Sequence, residues 1–136
     1  MMLDNASAEL SRGGERIRLI GLADPDFGGN PGAMLEELTV EDTGFTVLLS
    51  HRPELFDVYT DFSVDLVFSG HAHGGQFRLP ILGGLVAPHQ GFFPEYDAGL
   101  FAENGTAMLV SRGVGNSIIP IRFNNRPEIV LAVLVR

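Results

Sequence analysis

The 136-residue sequence contains no cysteine and no lysine. Without cysteine there are no disulfides, thiolate metal ligands or thiol nucleophile, so any metal must be held by imidazole, carboxylate, amide or water. Without lysine there is neither P-loop nor Schiff-base chemistry. Basic residues are scarce altogether: nine arginines stand against seventeen acidic residues, giving a formal net charge of −8. That balance argues against a general nucleic-acid binder, which needs a basic footprint, and against docking on anionic lipid. Long apolar runs are also missing. Glycine or proline interrupts most apolar stretches, and none approaches the roughly 20 residues that span a bilayer as a helix. The opening MMLDNASAEL has neither the basic start nor the apolar stretch of a secretory leader, so none is expected.

The composition is otherwise that of a folding chain, with 45% hydrophobic and 19% charged residues. The length fits one domain, spanning residues 1–136, with a real core. GERIRLIGL, residues 14–22, reads as a strand running into a buried end, and ADPDFGGNPG as a loop. In GAMLEELTVED, Met34, Leu35 and Leu38 fall at helical spacing, with Asn30 as N-cap and Pro31 at the first helical position. FTVLLS, residues 45–50, is a continuous apolar run that suits a central strand buried on both faces. RPELFDVYTDF predicts a short helix opened by Pro53, and VDLVFSG, residues 64–70, a second buried strand. Strand, helix and strand at this spacing make a βαβ unit with parallel strands. Residues 76–94 are rich in Gly and Pro yet carry Leu79, Ile81, Leu82, Leu85, Val86, Phe92 and Phe93, which predicts an ordered loop with short extended pieces whose apolar stripe serves as core or interface. Two alternating runs flank ENGT, with Asn104–Gly105 at the turn, a hairpin signal. RPEIVLAVLVR predicts a last strand. The fold class is therefore α/β, a mixed sheet with a βαβ unit and a C-terminal hairpin.

Two of the four histidines fall in SGHAHGGQ, residues 69–76, and a third, His51, follows the FTVLLS strand. Each apolar strand thus delivers a histidine just past its carboxyl end, where ligands collect in open α/β sheets. On an extended segment, His71 and His73 would point to the same side, able to close on one metal or to hold one each of a pair about 3.5–4 Å apart. Gly70, Ala72, Gly74 and Gly75 would leave room for ions and substrate. Imidazole suits Zn, Mn, Fe or Ni better than Mg or Ca. A bare H-x-H is equally two polar residues at a strand end; the third histidine, the glycines and the α/β context favour a site.

LLSHRPELFD, VDLVFSGHAHGGQFRLP and the later VSRGVGNSIIPIRFNNRPEIVLAVL together resemble the carboxyl half of a calcineurin-like metallophosphoesterase, in the bacterial branch whose last motifs read S-H-x-P and S-G-H-[TA]-H-G-G-Q. The resemblance runs from about Arg16 to the end. It implies half of an α-β-β-α sandwich, and a dinuclear metal centre in which His51 and His71 bind the second metal and His73 the first. It implies hydrolysis of phosphomono- or diesters by a metal-supplied hydroxide. The family's amino-half motifs, D-x-H, G-D-x-x-D and G-N-H-[DE], are not among these residues, and three neutral imidazoles offer no anionic bridge between two cations. The expectation is one bound ion or none, and little or no turnover by this chain alone. The alternative reading is a catalytically inactive metal-binding or interaction module derived from that family. A lone half would expose a sheet face, so self-association or pairing with a separate amino-terminal half is expected.

The remaining polar residues carry two readings each. Arg52, Gly74, Gly75 and Gln76 are candidates for the phosphate ester, and Arg78 for the phosphate as well, although both arginines have many carboxylates to pair with. Asp24 is read as a turn-former rather than a substitute ligand, Asp65 as structural, and His89 as a loop histidine rather than a lid over the metal rim.

Overall fold

The computed structural model describes residues 2–40, 44–117 and 120–135. Its first strands, β1 (Ala6–Arg12) and β2 (Glu15–Gly21), form an antiparallel hairpin. The turn is Gly13–Gly14 at φ 61° and 86°, backbone that glycine adopts at no steric cost. Helix α1 (Pro31–Leu38) follows; the Asn30 side chain accepts from the Gly32 and Ala33 amides at 3.0 and 3.3 Å, which is the expected cap. Residues 41–42 of that predicted helical stretch lie outside the described residues. Next come β3 (Thr46–Leu49), a 3-10 turn at Pro53–Leu55 leading into α2 (Phe56–Thr60), and β4 (Leu66–Ser69). The glycine-rich segment holds two miniature antiparallel pairs, β5 (Arg78–Leu79) with β6 (Gly83–Gly84), and β7 (Val86–Ala87) with β8 (Gly91–Phe92). The hairpin β9 (Gly99–Glu103) and β10 (Thr106–Val110) turns at Asn104–Gly105, both at positive φ, as its N-G signal requires.

The main sheet has the order β1-β2-β3-β4-β10-β9. Its four inner strands run parallel and its two edge strands antiparallel. Both β2–α1–β3 and β3–α2–β4 are βαβ units, so the mixed α/β sheet is as expected. One register row, Ile20–Leu48–Val67–Met108, crosses the four inner strands fully buried. It packs with Leu35, Phe56 and Tyr59 of the helices. Each such side chain is worth roughly 1.5–3 kcal/mol of burial.

Strand side chains alternate, so the next row faces the other way. There Leu49 is 40% and Leu100 69% exposed, with half-buried Phe68 and Leu109 between them. Burial of β3 on both faces is thus only partial.

Three further expectations change. The N-terminal strand β1 was not anticipated. Leu79, Ile81, Leu82, Phe92 and Phe93 are exposed, so that stripe is not core. Residues 127–135 form no strand. They keep a strand's alternation, with Ile129, Leu131, Val133 and Val135 outward, but find no ladder partner among the described residues. A strand is a pairing rather than a propensity, and apolar alternation alone does not make one. Arg136 lies outside the described residues.

Candidate metal centre

The carboxyl ends of β2, β3 and β4 form one rim. Their ladder continues past the strands through Leu22 N to Leu49 O at 3.1 Å and Ser50 N to Phe68 O at 3.1 Å. The rim is fixed from below by Tyr59 of α2. Its hydroxyl donates to the Arg52 carbonyl at 2.7 Å and meets Ser50 Oγ at 2.7 Å, so both neighbours of His51 are held. Burial pushes the Tyr59 phenol well above its usual range, so it remains a donor.

Arg52 is buried, and three carboxylates take its guanidinium. Asp24 accepts from Nε at 2.9 Å and Nη2 at 2.7 Å, Asp26 lies 2.6 Å from Nη2, and Glu54 accepts from Nη1 at 3.3 Å. Arg78 likewise donates to Asp97 at 2.8 Å. Carboxylate pairing is what the structure shows for both arginines. Asp24 also accepts from the Asp26 amide at 3.0 Å, the turn-forming role expected of it. Asp65 is structural as read, accepting from the Thr46 amide at 2.7 Å.

His51 and His71 meet. His71 Nδ1 lies 2.8 Å from His51 Nε2, with the rings edge to face. The other nitrogen of His71, Nε2, lies 2.8 Å from His89 Nδ1, with those rings stacked at 5.0 Å. His89 is therefore not a bystander in its loop, and that reading is corrected: the β7–β8 turn carries it back onto the rim. A neutral His71 can donate from one nitrogen and accept at the other. It is held neutral, its pKa lowered to about 4 by burial first and then by His51 beside it. Neutral imidazole is the form that ligates metal.

His73 turns elsewhere. The segment is not extended: His71 has φ 60°, Ala72 −67° and His73 47°. The i, i+2 rule for strands therefore does not apply. His73 Nδ1 faces Arg122 Nη2 at 3.5 Å, while its carbonyl accepts from Asn125 Nδ2 at 2.7 Å. Burial and Arg122 lower its pKa. His71, His73, Gln76 and His89 all occupy left-handed backbone, a cost that proteins concentrate at functional sites.

The glycines do not leave the predicted space. A Cβ on Gly74 would stand 2.5 Å from Asn125 Oδ1, and one on Gly75 2.3 Å from Gly84 Cα. They admit close chain packing instead; of the rim glycines, Gly70 faces open space. Gln76 is buried under the 120s segment, its carbonyl accepting from Asn125 Nδ2 at 3.1 Å. An open cleft of about 460 Å³ along the exposed sheet face reaches His51, Gly70 and Ser111 and is otherwise lined largely by Leu22, Leu49, Phe68 and Val130.

Glu54 was not singled out in the sequence. A carboxylate oxygen of Glu54 and one ring nitrogen each of His71 and His89 lie within 4.8 Å of one another. The signal available was its place three residues after His51, at the first turn of the Pro53 helix. Two imidazoles and a carboxylate are a donor set that fits a borderline divalent ion. No helix among the described residues is long and apolar enough to cross a membrane.

No family model matches the chain, and no solved structure matches it. Curated relatives do. The uncharacterized metallophosphoesterase YkuE of Bacillus subtilis is 34% identical over 126 residues, 89% of this chain and 41% of the relative. The phosphodiesterase YaeI of Escherichia coli is 39% identical over 89 residues, 65% of this chain and 32% of the relative. The UDP-2,3-diacylglucosamine pyrophosphatase LpxG of Chlamydia trachomatis is 34% identical over 145 residues, 96% of this chain and 40% of the relative. The chain thus spans less than half the length of the curated relatives it matches. With the S-H-x-P and S-G-H-A-H-G-G-Q motifs set on a parallel-sheet rim, these likenesses place the chain in the calcineurin-like metallophosphoesterase superfamily.

Proposed function

We propose that this chain forms one domain supplying the carboxyl part of a metal-dependent phosphoesterase centre that hydrolyses phosphomono- or diesters. The observation that carries the reading is the meeting of His51 and His71 at 2.8 Å from the ends of two adjacent parallel strands. In the completed centre His51 and His71 serve one ion and His73 the other, the ions being Mn, Zn, Fe or Ni. Such ions, when bound, polarise the phosphoryl oxygens and provide hydroxide at neutral pH. The protein's own share is positional. Tyr59 fixes the His51 turn, and the carboxylates on Arg52 lock that turn to the β2 end. Gly74 and Gly75 admit the close packing that seats the His73 turn, and Arg52 contributes through the rim it braces.

The reading further requires the D-x-H, G-D-x-x-D and G-N-H-[DE] elements of an amino-terminal half. A second copy of the chain covers the open sheet face when that half is not there.

Two measurements test this. Purified chain is assayed for bound metal and for nitrophenyl phosphate hydrolysis with added Mn²⁺ or Ni²⁺. We expect at most one ion per chain and little or no turnover. Co-expression with a segment carrying the three amino-half motifs is expected to raise turnover by orders of magnitude, and His71→Ala in that assembly to abolish it. An assembly that binds metal yet hydrolyses neither phosphomono- nor diesters would leave the inactive metal-binding module as the function.

A further inference from the structure

We propose that Glu54, His71 and His89 form a single-ion site of this chain's own, with His71 ligating through Nε2, His89 through Nδ1 and Glu54 through its carboxylate. It rests on the metal dependence proposed above, but uses two residues to which the family resemblance gives no role.

Geometry supports the assignment. One ligand atom from each of the three residues lies within 4.8 Å of the other two. His71 Nε2 and His89 Nδ1 face each other directly at 2.8 Å. Two imidazole nitrogens bound to one tetrahedral ion at about 2.0–2.1 Å stand roughly 3.3 Å apart, so the rings need to separate by about half an ångström. His89 is free to give that distance: its side chain is 45% exposed, on a glycine- and proline-bracketed turn. Glu54 Oε2 is buried and has no hydrogen-bond partner. A buried carboxylate oxygen left in that condition is costly unless something positive meets it, and Arg52 engages only Oε1.

The surroundings match those of a ligated pair. Ligating histidines ordinarily use the second ring nitrogen to reach an acceptor that fixes their orientation. His71 Nδ1 has His51 Nε2 at 2.8 Å, and His89 Nε2 points toward Asp26 Oδ2 at 3.8 Å. In this chain alone His51 orients His71 through Nδ1, while the ion the two share belongs to the completed centre. Two neutral imidazoles and one carboxylate also compensate part of a divalent charge, which three imidazoles do not. His73 takes no part.

The test is Zn²⁺ titration by calorimetry on the full chain, with Co²⁺ absorption as a report on coordination. The unsubstituted chain is expected to bind one Zn²⁺. Glu54→Gln and His89→Ala should each weaken binding at least tenfold and reduce the visible Co²⁺ bands, while Glu36→Gln on the exposed face of α1 leaves both unchanged. Glu54→Gln preserves shape, and His89 is exposed, so neither loss is a folding effect; circular dichroism checks this. Equal affinity in the Glu54 and His89 variants, or a greater loss in Glu36→Gln, overturns the site while leaving the phosphoesterase reading intact. Failure of the unsubstituted chain to bind Zn²⁺ overturns the site outright. Failure of the completed assembly to hydrolyse esters while Zn²⁺ still binds here overturns only the phosphoesterase reading.

Discussion

Arg52, with 4% of its side chain exposed, is the best-connected charge in the site, and Asp24 is its main partner. The hydrogen bonds from Arg52 hold the Asp24 carboxyl down from 3.8 to about 2, against the opposing pull of burial. A carboxyl with a lower pKa folded than unfolded binds fewer protons when folded. Its stabilisation is therefore complete above about pH 4 and is lost as pH falls toward 2. Asp24→Asn should lower stability at pH 7 by about 1–3 kcal/mol. Asp26 and Glu54 still face the arginine, which keeps the loss below that of a fully stranded charge. The gap between Asp24→Asn and the unsubstituted chain should close by pH 2, read as urea midpoints at both pH values; a gap of equal size at both would mean that Asp24 acts through packing instead. At this scale the sequence shows residue types but not their angles. His51 and His71 were legible because a strand end is a fixed place. The direction of His73 was not legible, because the H-A-H backbone turns left-handed instead of running extended. His89 and Glu54 were missed because their meeting depends on a loop that folds back over 18 residues, and no local pattern reports that closure.

Among the elements, the turn at His73–Gly75 is the one most tightly constrained. Gly75 has φ 71°, and a Cβ there would stand 2.3 Å from Gly84 Cα and 2.8 Å from Gly84 C. Both obstacles are backbone, so the β5–β6 pair would have to move. Gly75→Ala should therefore cost at least about 2 kcal/mol and several degrees of Tm, whereas Gly70→Ala, with nothing within 4 Å, should stay within about 0.5 kcal/mol. Thermal melts of the two variants decide it; equal melting temperatures would show that the turn yields freely. In the core, Val67→Ala removes a fully buried side chain from the central row, and should lower stability by about 2–4 kcal/mol in urea. The central elements were readable for one reason: FTVLLS and LVFS bury one whole face, so their pattern is strong. The N-terminal strand was not. ASAELSR alternates small residues whose burial contributes little, and the glycine pair after it was the one usable signal. The C-terminal segment shows the opposite failure, since its apolar alternation survives in the structure with no ladder to join among the described residues.

The molecule as a whole has two faces that differ in kind. On one, helices cover the fully buried row from Ile20 to Met108. On the other, Leu49, Leu100 and Leu10 remain exposed along the sheet, and Val130 with the outward side chains of residues 129–135 extends the apolar surface. A soluble monomer seldom shows so continuous an apolar area. The net charge of −8 works against association, because copies repel one another at long range. The balance between these two effects gives the whole-molecule prediction. Alone at micromolar concentration, the chain should self-associate in a saturable way, and association should tighten as salt screens the repulsion. Leu49→Glu with Leu100→Glu places charge on both sides of the open face and should return the chain to monomer without changing its circular dichroism. Sedimentation velocity across a salt series separates the possibilities. A monomer at every salt concentration would mean that the face is adequately covered within the chain itself. Dissociation on adding salt would mean that ionic contacts join the copies, which a chain with nine basic against seventeen acidic residues has little means to make.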